Sequence, residues 1–177
     1  MHSQPSQTFL NRAMAIAASE NLMDDVASAI NKGADPTYMD DFGYTPAMYF
    51  AEFGNVNGII MVYNMALAKD GTPGSYNHSD AATKTLKVDH RRSVSPAILL
   101  AHRGDVAGLL RLAAVEPKIM AQPVMANLRQ ADKPLTLQQV TSLLKSGFTV
   151  DDKFEAVMRK LGFSTLDTLR AMDDSIA

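Results

Sequence analysis

The sequence has 177 residues, of which 46% are hydrophobic, which is enough for one ordinary domain with a continuous core. It contains no cysteine, so a disulfide framework and a thiolate metal site are both excluded. Its formal net charge is -2. Proteins that bind nucleic-acid backbones usually carry a basic excess, and this balance therefore argues against nucleic acid as the partner.

The N-terminus and the most apolar segment bear on where the protein is found. The first seven residues are mostly polar and lack the order of basic and apolar residues of a signal peptide, so we expect a cytoplasmic protein or one delivered into a host-cell cytosol. Segment 44–68 carries Glu52 as its only charge, but Gly54 and Asn55 interrupt it. It therefore predicts two buried helices joined by a turn and no membrane span.

The first predicted element is a helical hairpin over residues 8–30. Residues 12–18 are mostly alanine and other apolar types, Asn21 stands at a turn, and residues 23–30 supply the return helix. Gln7 or Thr8 is expected to start this hairpin.

The second predicted hairpin, over residues 45–64, has the clearest turn and cap residues. These are Gly33, the cluster of Asp40, Asp41 and Gly43, the pair Thr45-Pro46 and the pair Gly54-Asn55. Gly33 can adopt positive φ and end the preceding helix. Thr45 is a good N-cap, and Pro46 suits the first helical position because its missing N–H would have had no partner there.

A third hairpin is predicted over residues 95–113. Ser95-Pro96 replaces Thr45-Pro46, Gly104-Asp105 forms the turn, and residues 106–113 return. Between the second and third hairpins, residues 67–88 are rich in glycine, proline, asparagine and aspartate, which is typical of a loop.

The residue order of the second hairpin resembles the ankyrin repeat family. The resemblance is carried by Gly33-Ala34-Asp35, Asp40, Gly43, Thr45-Pro46, Ala51, Gly54 and Ile59. There are departures: Ala47-Met48-Tyr49 stands where the family usually has Leu-His-Leu, and Phe50 replaces a small alanine.

The resemblance implies an all-α solenoid of helix-turn-helix repeats. Degenerate repeats are expected at 8–39, 40–66 and 89–115, within a repeat region 1–115 that is interrupted by the inserted loop 67–88. Residues 116–177 are expected to form a helical C-terminal cap packed on the same core. Three pairs in this cap have the spacing of an N-cap and its polar partner: Thr136 with Gln139, Thr149 with Asp152, and Ser164 with Asp167. Gly147 and Gly162 are expected to end helices.

No catalytic residues, metal site or cofactor motif are predicted. The four histidines, His2, His78, His90 and His102, form no metal-binding pair on a helix, and His102 is expected at the exposed end of an inner helix. We place the adjacent carboxylates Asp151 and Asp152 in a first helical turn, where the helix dipole stabilises negative charge. Such pairs therefore indicate a structural role more than acid–base chemistry.

The ankyrin resemblance also implies a binding surface, formed by turn tips and the ends of inner helices. In the second repeat its residues are Asp41, Phe42, Tyr44, Glu52 and Phe53, and in the third they are Arg91, Arg92, Val94, His102 and Arg103. Aromatic residues and arginine are enriched in protein interfaces, and separate acidic and basic parts would orient a partner. We therefore expect a non-catalytic protein–protein interaction module, such as an adaptor, an inhibitor or an effector.

Two alternatives stay open at this point. One is an enzyme with a site hidden in the C-terminal helices or in loop 67–88. The other is a nucleotide or nucleic-acid binder that uses the basic cluster of Arg91, Arg92 and Arg103.

Overall fold

The computed structural model describes residues 5–70, 85–87, 89, 93–130, 133–165, 167 and 170. Over these residues the chain forms eight α-helices, two 3-10 helices and no strand, which confirms the all-α prediction. None of these helices is long and apolar enough to cross a membrane. The chain divides into two compact units, Met1–Asp89 (the N-terminal unit) and His90–Ala177 (the C-terminal unit).

The N-terminal unit contains two helical hairpins. Its helices are α1 (Gln7–Ser19), α2 (Met23–Asn31), α3 (Pro46–Glu52) and α4 (Val56–Asp70). Helix α1 packs against α2, and α3 packs against α4. Because α1 also contacts α3 while α2 contacts α4, the two hairpins lie side by side with equivalent helices adjacent.

The predicted hairpin turns share one backbone geometry. Asn21 has φ 60°, Gly54 has φ 67°, and Gly104 in the C-terminal unit has φ 67°. Asn21 therefore takes the place of the turn glycine, as the sequence predicted. The Nδ2 of Asn55 donates to the Oδ1 of Asn21 at 2.8 Å, and the Oδ1 of Asn55 accepts from the N–H of Gly58 at 2.9 Å.

The unusual Phe50 is accommodated by a glycine on the opposite helix. The Phe50 side chain is fully buried. A Cβ atom added to Gly58 would lie only 2.5 Å from the Cγ of Phe50, so the ring fills the space that any other residue at position 58 would occupy.

Helix α4 extends beyond its predicted end. The insertion was expected to begin at residue 67, but α4 continues to Asp70, so this boundary is wrong by four residues. Lys69 stabilises the extension, since its Nζ donates to the carbonyl of Ala34 at 2.8 Å. Thr85 and Leu86, near the end of the predicted loop, are fully buried, whereas 71–84 and 88 lie outside the described residues.

The C-terminal unit begins with the third predicted hairpin. Its α-helices are α5 (Pro96–His102), α6 (Val106–Val115), α7 (Leu137–Lys145) and α8 (Phe154–Lys160), and its 3-10 helices are Pro117–Ala121 and Met125–Asn127. Helices α5 and α6 pack together, and α6 also contacts the first 3-10 helix and α7. Ser95 caps α5 by accepting from the N–H of Ile98 at 3.2 Å, as predicted.

Two of the three predicted N-cap pairs in the C-terminal cap are confirmed. Thr136 and Gln139 form a reciprocal capping box at the start of α7. The Oγ of Ser164 accepts from the N–H of Asp167 at 3.2 Å. Positive φ values at the two predicted stop glycines also agree with the sequence.

The third pair, Thr149 with Asp152, is wrong. The Oγ1 and the N–H of Thr149 both donate to the carbonyl of Met120, at 3.1 and 3.0 Å, and Lys153 stands at the N-cap position of the next helix. Helix α8 begins only at Phe154. Asp151 and Asp152 consequently precede the helix and do not lie in its first turn.

Candidate functional site

One carboxylate organises the loop that precedes α3, residues 38–44, which we call the tip loop. The Oδ1 of Asp40 accepts from the N–H of Phe42 at 3.0 Å and from that of Tyr44 at 2.9 Å. Its Oδ2 accepts from the hydroxyl of Tyr49 at 2.6 Å. The N–H of Asp40 also donates to the carbonyl of Tyr44 at 3.0 Å, so the tip loop is closed on itself and held to α3.

Two tyrosines connect the tip loop to α3. The rings of Tyr44 and Tyr49 lie 5.0 Å apart at an angle of 37°, and the Tyr44 hydroxyl donates to the Oε1 of Glu52 at 2.9 Å. Burial raises the pKa of the Tyr49 phenol well above its usual value, and the hydrogen bond to Asp40 and the charge of Asp40 add to the effect. Tyr49 therefore stays a neutral donor across the physiological range.

A groove of about 210 Å³ runs between α1 and the tip loop. Its lining residues come from both elements and from α3: Arg12, Ala15, Ile16, Ser19, Tyr38, Asp40, Asp41, Phe42 and Tyr49. Phe42 is 70% exposed and Ile16 is 61% exposed. The groove thus presents apolar and aromatic surface to solvent beside charged groups.

Of the five residues predicted in the second repeat, two line the groove and three do not. Asp41 and Phe42 line the groove. Tyr44 and Glu52 hydrogen-bond to each other, and the ring of Tyr44 contacts that of a lining residue. Phe53 follows the last residue of α3 and is 48% exposed.

Seven of the nine lining residues are not among the predicted site residues: Arg12, Ala15, Ile16, Ser19, Tyr38, Asp40 and Tyr49. Residues 12–18 were assigned to an inner helix, but the outward-facing side chains of that helix were not considered. Ile16 gave no signal of its own, because the sequence of this mostly apolar helix does not show which side chains are exposed.

The predicted residues of the third repeat are only partly described. Arg91 and Arg92 lie outside the described residues, while Val94 is half-buried and Arg103 is exposed. His102 is half-buried, not exposed as expected, and its Nε2 lies 3.1 Å from the Oδ1 of Asn127. The second 3-10 helix therefore covers part of the His102 ring, and the basic cluster stays a prediction.

A second groove, of about 460 Å³, lies between α1 and α2. Its exposed apolar side chains include Phe9, at 62%, and Leu22, at 43%. Charges of both signs line it, from Glu20, Asp25 and Lys32. In contrast with the first groove, it has a single aromatic lining residue and no tightly bonded loop.

The site was also compared with known kinds of site and known proteins. In the part of the chain that the structure describes, no three histidines or carboxylates are grouped so that they could hold a metal ion. No model of a known protein family matches the sequence, and no curated protein matches it in a sequence comparison. The likeness to ankyrin repeats therefore remains a resemblance.

Proposed function

We propose that this chain is a protein-binding module of the ankyrin repeat type, and that its docking surface is the first groove together with the tip loop. The observation that carries the proposal is Phe42, a 70% exposed aromatic ring on a loop that three hydrogen bonds to Asp40 hold in place. Aromatic residues, phenylalanine among them, are enriched in protein interfaces, and a ring that is already held in place loses little conformational freedom when it binds.

The repeat assignment is supported by recurring local structure. Threonine or serine caps followed by proline begin α3 and α5, and the three hairpin turns share left-handed φ values between 60° and 67°. In repeat proteins the tips vary without damage to the core, so recognition is placed there. A module of this kind acts as an adaptor, an inhibitor or an effector by binding to a partner protein, and no catalytic step is involved.

The proposal is tested by comparing two matched variants in affinity capture. Phe42→Ser removes the aromatic anchor, whereas Phe9→Ser removes a similarly exposed phenylalanine outside the first groove. We expect the immobilised wild-type chain and Phe9→Ser to retain the same partner protein. Phe42→Ser should retain about tenfold less of it, or lower still.

Thermal unfolding of the three proteins serves as the control for folding. Because Phe42 is largely exposed, its replacement should leave the melting temperature nearly unchanged. The proposal is abandoned if no protein is retained specifically, or if Phe42→Ser retains every partner as well as the wild type does.

A further inference from the structure

The charges and aromatic rings of the first groove indicate what kind of group it takes. We propose that it binds a positively charged side chain, an arginine or lysine in an exposed segment of the partner protein. This inference rests on the proposed function, since it names the chemistry of the partner at the same surface.

The size of the groove limits its occupant. Pockets that enclose drug-sized ligands have volumes of about 300 Å³ or more, and this groove measures about 210 Å³. It also lies open between a helix and a loop. A single long side chain presented from a partner's surface fits these dimensions better than a whole cofactor or a helix does.

The aromatic lining favours a cation. Tyr38, Phe42 and Tyr49 all contribute to the groove. The hydroxyl of Tyr49 is turned to Asp40, so this residue offers the groove chiefly its ring. The face of an aromatic ring carries partial negative charge and attracts guanidinium and ammonium groups within about 6 Å, with no comparable attraction for a carboxylate.

The balance of charged groups points the same way. Two carboxylates, Asp40 and Asp41, line the groove, against one guanidinium, that of Arg12. The three donors to Asp40 described above are neutral N–H and O–H groups, so they hold the carboxylate in place without cancelling its charge. No ion pair joins Arg12 to either aspartate within the described part of the chain. An incoming cation therefore meets a net negative surface.

Arg12 makes it possible to test the sign of the occupant's charge. If the occupant is cationic, Asp41 attracts it and Arg12 repels it, so neutralising these two residues must shift affinity in opposite directions. A purely apolar occupant would respond to neither change, and an acidic occupant would respond in the reverse sense.

The experiment uses small probes and the 177-residue chain. N-acetyl-arginine N-methylamide and N-acetyl-lysine N-methylamide are titrated into the isotope-labelled protein, and the resonances of Tyr38, Phe42 and Tyr49 are followed by NMR. The norleucine and glutamate derivatives are the uncharged and acidic comparisons. We expect saturable shifts at these rings with the arginine or lysine derivative and weaker ones with the other two.

Three variants complete the test. Asp41→Asn should weaken binding of the cationic derivative about two- to fivefold, which is the range for an exposed ion pair, and Arg12→Gln should strengthen it by a similar factor. Asp25→Asn makes the same change of net charge on α2, away from this groove, and should have no effect.

The inference is overturned if the norleucine or glutamate derivative binds as tightly as the cationic ones, if no resonance moves, or if Asp25→Asn acts as strongly as Asp41→Asn. Its failure is distinct from that of the proposed function. A partner whose capture needs Phe42, combined with no preference for a cation, leaves the docking surface intact and removes only the charged occupant.

Discussion

Replacing Gly58 by alanine tests how closely α3 and α4 are packed. The new Cβ atom would lie 2.5 Å from the Cγ of Phe50 and 2.7 and 2.8 Å from the two Cδ atoms. Non-bonded carbon atoms have their best separation at about 3.5–4.0 Å. Because the ring is fully buried, the methyl group can be accommodated only if the ring or the two helices shift by about 1 Å.

Two opposing effects set the size of the change. In the first turn of a helix with room for the methyl group, alanine is more favourable than glycine by up to about 1 kcal/mol. Overpacking a core costs about 1–3 kcal/mol and occasionally more, and close approach to three ring atoms places this case at the upper end. We therefore expect Gly58→Ala to lower the free energy of unfolding by about 2 kcal/mol.

Chemical denaturation followed by circular dichroism measures this difference. Ala107→Gly, at an exposed position in the first turn of α6, calibrates the helix propensity and should cost about 1 kcal/mol or less. The double variant Gly58→Ala/Phe50→Leu should lose less stability than the two single changes together, because the smaller side chain relieves the contact. A Gly58→Ala protein at least as stable as the wild type would refute the packing argument.

Three further changes test other parts of the fold. Asn21→Ala places a side chain without a local hydrogen bond at φ 60° and removes the bond from Asn55. Chemical denaturation should therefore show that the free energy of unfolding falls by about 2 kcal/mol. Asn21→Gly should lower it less, and the opposite order would contradict this explanation. Thr141→Val removes a buried hydroxyl that has no hydrogen-bond partner in the described part of the chain. The same assay should show a change between zero and a gain of about 1 kcal/mol, and a clear loss would mean that the hydroxyl is paired. The raised pKa of Tyr49 means that folding favours the neutral phenol, so its stabilising effect is complete below about pH 10 and is lost as pH rises towards the folded-state pKa. Tyr49→Phe should flatten the alkaline fall in stability, and identical slopes in the two proteins would disprove the assignment.

Local chemistry explains the features that the sequence predicted correctly. An N-cap requires only a short polar side chain and a backbone N–H three residues later, so Thr45, Ser95 and Thr136 can be recognised from their neighbours. The same is true of the hairpin turns, where Asn21 stands for glycine because asparagine tolerates left-handed φ better than most residues.

The features that were missed depend on residues distant in sequence. Thr149 has the spacing of an N-cap, but the carbonyl of Met120, 29 residues away, binds its hydroxyl. The longer α4 is held by a similarly remote bond from Lys69 to Ala34.

The groove escaped sequence reasoning for the same physical reason. It forms only when α1 packs beside α3 and brings Ile16 close to the tip loop. The sequence placed an aromatic ring at Phe42, but it could not show which side chains of the neighbouring hairpin surround that ring.

The side chain of Asn55 has a consequence for how the N-terminal unit unfolds. Its oxygen holds the amide of Gly58 at the start of α4, while its nitrogen holds Asn21 in the first turn. An aspartate would keep the first bond, but it could form the second only if the Asn21 amide turned to present its Nδ2 as the donor. Opening of the first turn therefore loosens the beginning of α4, and native-state hydrogen exchange at the Gly58 amide should report the cooperativity of the two hairpins as one folding unit.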